Sequence, residues 1–162
     1  MRMQGAWTAL VTPFQSGQVD VEALESLIEA QIQGGIDGLV PCGTTGEAPT
    51  LSLAEHELVV RTTVAVAHGR VPIVAGCGSN DTHKAIELTR IAKAAGADGA
   101  LHVMPYYNKP TQDGLVAHVA AIAREAPMPT VLYNVPTRTV TDLLPETVAR
   151  IAREVPDRKS VV

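Results

Sequence analysis

The chain has 162 residues, 46% of them hydrophobic and 19% charged, with a formal net charge of −4, the composition of a globular domain. The mild acidity and the lack of any Lys/Arg-rich block argue against nucleic-acid binding, and no apolar run is long enough to span a bilayer. The opening MRMQGAWTALVTPF carries no signal-peptide hydrophobic stretch or cleavage site, so a cytoplasmic location is expected. Cys42 and Cys77 do not make a disulfide framework and are expected to be reduced.

Strands and helices alternate along the chain. TALVTPF (8–14) reads as a first strand, and DVEALESLIEAQIQGG (20–35) as a helix with Leu24, Leu27, Ile28 and Ile32 at helical spacing. GLVPCG (38–43) is a second strand. SLAEHELVVRTTVAVAHG (52–69) is a second helix, opened by Ser52 and Glu55 in capping-box spacing. VPIVAGCG (71–78), GALHVMP (99–105) and PTVLYNVP (129–136) follow as strands. Between and after them come the helices DTHKAIELTRIAKAAG (81–96), TQDGLVAHVAAIAREA (111–126) and DLLPETVARIAREV (142–155). KSVV (159–162) reads as the start of a sixth strand.

The strands are continuous apolar runs, as expected for parallel strands buried on both faces, and strict βα alternation means an α/β fold. An internal echo supports repetition. GIDG (35–38) and GADG (96–99) each join a helix end to a strand, and a second series of strand entries carries proline. Alternating βα units of this kind suit a (β/α)8 barrel, with a doubly wound sheet as the alternative. A barrel takes about 250 residues, so a barrel reading makes residues 1–162 one incomplete domain: five βα units and the start of strand six.

In both architectures, sites form at the C-terminal ends of strands. The segments there include CGTTGE (42–47), PYYN (105–108) and YNVPTR (133–138), and all three tyrosines of the chain fall in them. Tyrosines so placed serve either as rim packing or in phenolic proton transfer. Thr44 and Thr45 lie in a glycine-flanked turn, which is either a plain lead into a capped helix or an anion-binding concavity of backbone N–H groups. It is not a P-loop, because no Lys-Ser/Thr pair follows the second glycine. Arg138 is either a solvated arginine or a bidentate grip on a carboxylate. The five histidines show no metal-ligand spacing, and His102 reads as a packed core residue.

Together, TALVTPF, GTTGEAPTLS, PYYNKP and YNVPTRT, in this order and at these intervals, resemble the dihydrodipicolinate synthase family of pyruvate-dependent Schiff-base aldolases. The likeness runs from about residue 6 to residue 144. It implies a (β/α)8 TIM barrel in a homo-oligomer, dimer or tetramer, that condenses pyruvate with aspartate semialdehyde on the lysine and diaminopimelate route, with no metal or organic cofactor. It implies that Thr45 binds the pyruvate carboxylate and that Arg138 binds that of the semialdehyde. Thr44, Tyr133 and Tyr107 would form a proton relay, with Tyr133 the main acid/base group and Tyr107 reaching into a neighbouring subunit. N-acetylneuraminate lyases and keto-deoxy sugar acid aldolases are the alternative relatives. They generally lack the PYYN pair and an arginine at the place of Arg138.

The resemblance also implies two departures. The family's imine lysine lies on strand six, in a Gly-Ile-Lys-Glu motif. The lysines of this chain are Lys84, Lys93, Lys109 and Lys159, none of which is positioned to replace it. The chain as written is therefore expected to be inactive, either as part of an aldolase or as a non-catalytic remnant that binds a small carboxylate. An unrelated phosphate-binding domain using GTTGE is the third possibility. Family members that bind lysine between subunits use positions matching His56, Asn80 and Tyr106. Lys84 stands where an acidic group would meet the ligand's ammonium, so weak or absent lysine inhibition is expected.

Overall fold

The computed structural model describes residues 3–155, so the strand expected at 159–162 and Lys159 lie outside the described residues. Five short parallel strands carry the fold: β1 (Trp7–Ala9), β4 (Gly38–Val40), β5 (Val74–Gly76), β6 (Gly99–Val103) and β7 (Thr130–Tyr133). β1 pairs with β4, and β5 with β6 and β6 with β7, all parallel. A parallel bridge between Leu39 and Ile73, with backbone bonds from Leu39 to Pro72 and from Gly76 to Pro41, joins β4 to β5. The spatial order therefore follows chain order, with no reversal point.

Helices fill the gaps between strands: α1 (Val21–Gln33), α2 (Leu53–Ala67), α3 (Thr82–Ala95), α4 (Gln112–Glu125), and α6 (Pro145–Glu154) after the short α5 (Pro136–Thr139). α1 packs on α2, α2 on α3, α3 on α4 and α4 on α6. Neighbouring helices in an unbroken row belong on one side of the sheet. A doubly wound sheet would divide them between two faces, so the alternation belongs to an arc of barrel. Leu24 and Ile28 of α1, Val59 and Val60 of α2 and Leu88 of α3 form one buried cluster with Leu39, Ala75 and Ala100 of the strands. A second cluster joins Leu115, Val119 and Ile151 to Leu132.

The repeated Gly-x-Asp-Gly turn has a structural reason. Asp37 Oδ2 accepts from the Ala6 amide at 2.7 Å while the Asp37 amide donates to the Ala6 carbonyl at 2.9 Å. Asp98 does the same to Ile73, at 2.8 and 2.9 Å. Each aspartate thus pins the entry of its own strand to the entry of the strand before it.

The strands are shorter than the sequence reading, β7 ending at Tyr133 rather than residue 136, where α5 begins, and two further boundaries differ. The first strand does not run through residue 14. After Leu10 the chain leaves the sheet, and β2 (Phe14–Gln15) pairs antiparallel with β3 (Gln18–Val19). Ser16 and Gly17 both have positive φ, +52° and +78°, the two-residue hairpin geometry that matches strand twist. The last helix begins at Pro145 rather than residue 142. Leu144 is held extended in front of the proline, because the proline ring disfavours helical conformation at the preceding residue.

Candidate active site

The C-terminal ends of the strands open onto a cavity of about 200 Å3. The segment after β4 is wound tightly. Cys42 and Glu47 adopt φ of +55° and +59°, conformations that persist only where the surroundings hold them. Here the Gly43 carbonyl accepts from the Gly46 amide at 3.0 Å and from the Ala48 amide at 3.3 Å. Thr12 Oγ1 donates to the Gly46 carbonyl at 2.7 Å. A single 3-10 turn (Ala48–Thr50) leads to α2, where Ser52 and Glu55 close the expected capping box. The carbonyls of Gly43, Thr44, Gly46 and Glu47 are engaged. The amides of Gly43, Thr44 and Thr45 donate to no group among the described residues, which leaves a short row of N–H groups available to an anion.

The next wall depends on close approach. A Cβ on Gly76 would come 1.8 Å from the Cys42 carbonyl oxygen, so only glycine lets the ends of β4 and β5 meet. His56, from α2, fixes the same point: its Nε2 donates to the Gly76 carbonyl at 2.8 Å. Burial is the main cause holding the His56 pKa below its ordinary value; the Gly76 hydrogen bond opposes it, and Lys84 lowers it further. The imidazole is neutral at pH 7. Burial also pushes the Cys42 thiol up to about 12 and Cys77 higher still. Both are free and buried, so they act as small apolar filler rather than nucleophiles.

Thr44, Tyr133 and Arg138 all line the cavity. Tyr133 is the last residue of β7, and Arg138 projects from α5, whose first turn is closed by the Val135 carbonyl accepting from the Arg138 and Thr139 amides at 2.9 and 3.0 Å. The hydroxyls of Thr44 and Tyr133 and the Arg138 guanidinium bond to nothing among the described residues. Thr45 and Tyr107 are not part of the lining. Tyr107 is 88% exposed at φ +71°, in a loop tied back by Asn80 and Asn108.

Lys84, Ser79 and Tyr106, which the sequence reading gave no role in the active site, also line the cavity. Ser79 and Tyr106 carried the strand-end signal. Lys84 carried none, because helical periodicity does not say which end of a helix borders a cleft. Among the described residues, no group of three or more His, Cys, Asp or Glu could hold a metal ion, and no helix is long and apolar enough to cross a membrane.

The dihydrodipicolinate synthetase family model matches residues 2–160. The chain belongs to that family. It is 60% identical over 157 residues, 97% of its length, to 4-hydroxy-tetrahydrodipicolinate synthase of Nitratidesulfovibrio vulgaris (strain DSM 19637 / Miyazaki F), covering 54% of that protein. The structure superposes on dihydrodipicolinate synthase of Aquifex aeolicus with a TM-score of 0.91 and 49% identity, over 94% of this chain and 52% of that one. It superposes on the chloride-inhibited dihydrodipicolinate synthase of Acinetobacter baumannii complexed with pyruvate with a TM-score of 0.92 and 49% identity, over 99% of this chain and 56% of that one. The chain spans about half the length of the relatives it matches. The dihydrodipicolinate synthases are lyases and TIM barrels, and the five βα units described above are an arc of that barrel.

Proposed function

We propose that residues 1–162 form one partial-barrel domain that supplies the carboxylate clamps and the acid–base groups of a 4-hydroxy-tetrahydrodipicolinate synthase site. The observation that carries this reading is the convergence of Thr44, Tyr133 and Arg138 on one cavity at the strand ends. In the reaction, a lysine amine condenses with the pyruvate ketone and releases water. The resulting imine withdraws electrons, so the methyl group loses a proton and the carbanion attacks the aldehyde carbon of aspartate semialdehyde. Tyr133 moves the protons, relayed through Thr44 and Tyr107. Thr45, with the free amides of its loop, takes the pyruvate carboxylate, and Arg138 takes the carboxylate of the semialdehyde. The exposure of Tyr107 suits a group that completes a neighbouring subunit's site in a homo-oligomer, and the setting is the cytoplasm. The Acinetobacter baumannii relative, solved with pyruvate, supports the choice of first substrate.

Of the three described lysines, Lys93 and Lys109 are absent from the cavity lining, and Lys84 borders it from the first turn of α3 rather than from a strand end, while Lys159 lies outside the described residues. The 162-residue chain is therefore expected to bind pyruvate reversibly and to form no imine. Borohydride reduction in the presence of pyruvate, read by mass spectrometry, should give no adduct. Calorimetry should show pyruvate binding that Thr45→Val weakens about tenfold, the scale of one lost hydrogen bond to a charged group. A trapped adduct on any of the four lysines, or unchanged binding by the variant, would overturn the assignment.

A further inference from the structure

The ladder between β6 and β7 stops at the rim of the cavity. Its last backbone bond runs from the Met104 amide to the Tyr133 carbonyl at 3.2 Å, and Pro105 has no N–H to carry it further. The two chains then part. Pro105 leads into Tyr106 and Tyr107, and Asn134 leads into α5 and Arg138. A side chain rejoins them: Thr141 Oγ1 donates to the Pro105 carbonyl at 3.0 Å. Thr141 is 5% exposed and Pro105 is buried, so that carbonyl cannot turn to water if the hydroxyl is removed.

The segment from Asn134 to Leu144 is also closed at its base. Asn134 Nδ2 donates to Asp142 Oδ1 at 2.8 Å, and Asn134 Oδ1 accepts from the Leu143 amide at 3.1 Å. Gln112 of α4 holds the far end, donating to the Asp142 carbonyl at 2.8 Å and accepting from the Leu144 amide at 3.3 Å. Between these ties Thr139 Oγ1 donates to the Thr141 carbonyl at 2.8 Å, and Val140 sits at φ +57°. A β-branched residue keeps that conformation only where its surroundings impose it. Arg138 lies inside this stapled loop, and its guanidinium bonds to no described residue. Its aim into the cavity is therefore set by the loop backbone, and a backbone fixed in advance leaves less to be ordered when a ligand binds.

We propose that Thr141 and Asn134 are positioning residues for Arg138: Thr141 moors the loop to the end of β6, and Asn134 closes it. Neither lines the cavity, so both act through the backbone that carries the guanidinium. The proposal rests on the reading of Arg138 as the grip on the semialdehyde carboxylate. It concerns that carboxylate alone, since the pyruvate carboxylate is held at Thr45 in the loop after β4.

NMR titration of the 162-residue chain with homoserine tests this, with pyruvate as the control. Homoserine carries the carboxylate and ammonium of aspartate semialdehyde, with an unreactive alcohol in place of the aldehyde. Thr141→Val keeps the shape and removes the hydroxyl. It should weaken homoserine about tenfold, the scale of one lost contact to a charged group, and leave pyruvate within twofold. Thr141→Ser keeps the donor and should hold homoserine within twofold of the parent. Asn134→Ala should repeat the Thr141→Val pattern, and it decides the matter if Thr141→Val does not fold. Homoserine binding within twofold of the parent in either folded variant, equal losses for homoserine and pyruvate, or no recovery in Thr141→Ser would overturn the proposal. Arg138→Gln separates the two readings. If it weakens homoserine while Thr141→Val does not, only the positioning role is rejected. If it leaves homoserine unchanged, or the parent binds none, the clamp itself is rejected and the positioning role with it.

Discussion

His56 and His118 are 2% and 6% exposed, and each has one ring nitrogen engaged and the other bare. His56 Nε2 bonds the Gly76 carbonyl while Nδ1 has no partner. His118 Nδ1 bonds Thr82 Oγ1 at 2.8 Å while Nε2 has none. Burial holds both pKa values below the ordinary 6.5, opposed by the Gly76 hydrogen bond on His56 and by Asp81 on His118. The native state therefore binds fewer protons than the unfolded state once pH falls below about 6.5. The stability from keeping these rings neutral is fully present above that pH. It is lost as pH falls towards the lowered native values, at up to about 1.4 kcal/mol per pH unit for each histidine. Urea midpoints measured from pH 7.5 to 5 should fall, and His118→Gln should flatten the slope. A midpoint independent of pH over that window, or an unaltered slope in the variant, would show that these rings do not titrate on unfolding. Helical periodicity does not mark either histidine as buried, since both sit on amphipathic helices where a polar residue reads as solvent-facing. The placement of Thr44, Tyr133 and Arg138 at the cavity was legible because strand ends are where an α/β fold gathers its chemistry, whereas their roles came only from the family resemblance. That Lys84 lines the cavity was not legible, because helical periodicity does not say which end of α3 borders the strand ends.

At the scale of elements, the Gly-x-Asp-Gly echo was visible as a repeat, and the structure explains it as a clamp on strand register. Ile73 is 2% exposed, so its amide cannot turn to water if the carboxylate is removed. Asp98→Ala is expected to cost about 2 kcal/mol, the penalty for leaving a buried donor unpaired. Asp98→Asn, which keeps an acceptor oxygen, should cost less than half of that. Urea denaturation of both variants checks the ordering, and equal losses would mean that charge rather than register is what Asp98 supplies. Short elements escaped the sequence reading for a related reason. The β2–β3 hairpin rests on Ser16 and Gly17 at positive φ, a two-residue signal beside Pro13, and α5 is four residues long. Neither is long enough for periodicity to register, although both shape the rim of the strand ends.

For the whole molecule, the order of strands settles the architecture and also exposes a weakness. β1 and β7 are the two ends of the parallel array, and among the described residues each pairs on one side only. Unpaired strand edges recruit other strands. The rim adds apolar surface: Val11 is 50% exposed, Phe14 42% and Val140 63%. In a closed barrel such edges meet each other and no edge remains. The core clusters under the helices are well buried, so the arc has the means to hold its secondary structure, but not to hide its ends. The 162-residue chain on its own is therefore expected to self-associate through these edges and to bind a hydrophobic dye more strongly than a closed barrel of the same family. Sedimentation velocity over a dilution series, followed by thermal melting, decides this. Concentration-dependent species and a broad melt are the expected result. A monodisperse monomer with a single cooperative melt and weak dye binding would show that β1 and β7 are protected in a way their pairing does not reveal.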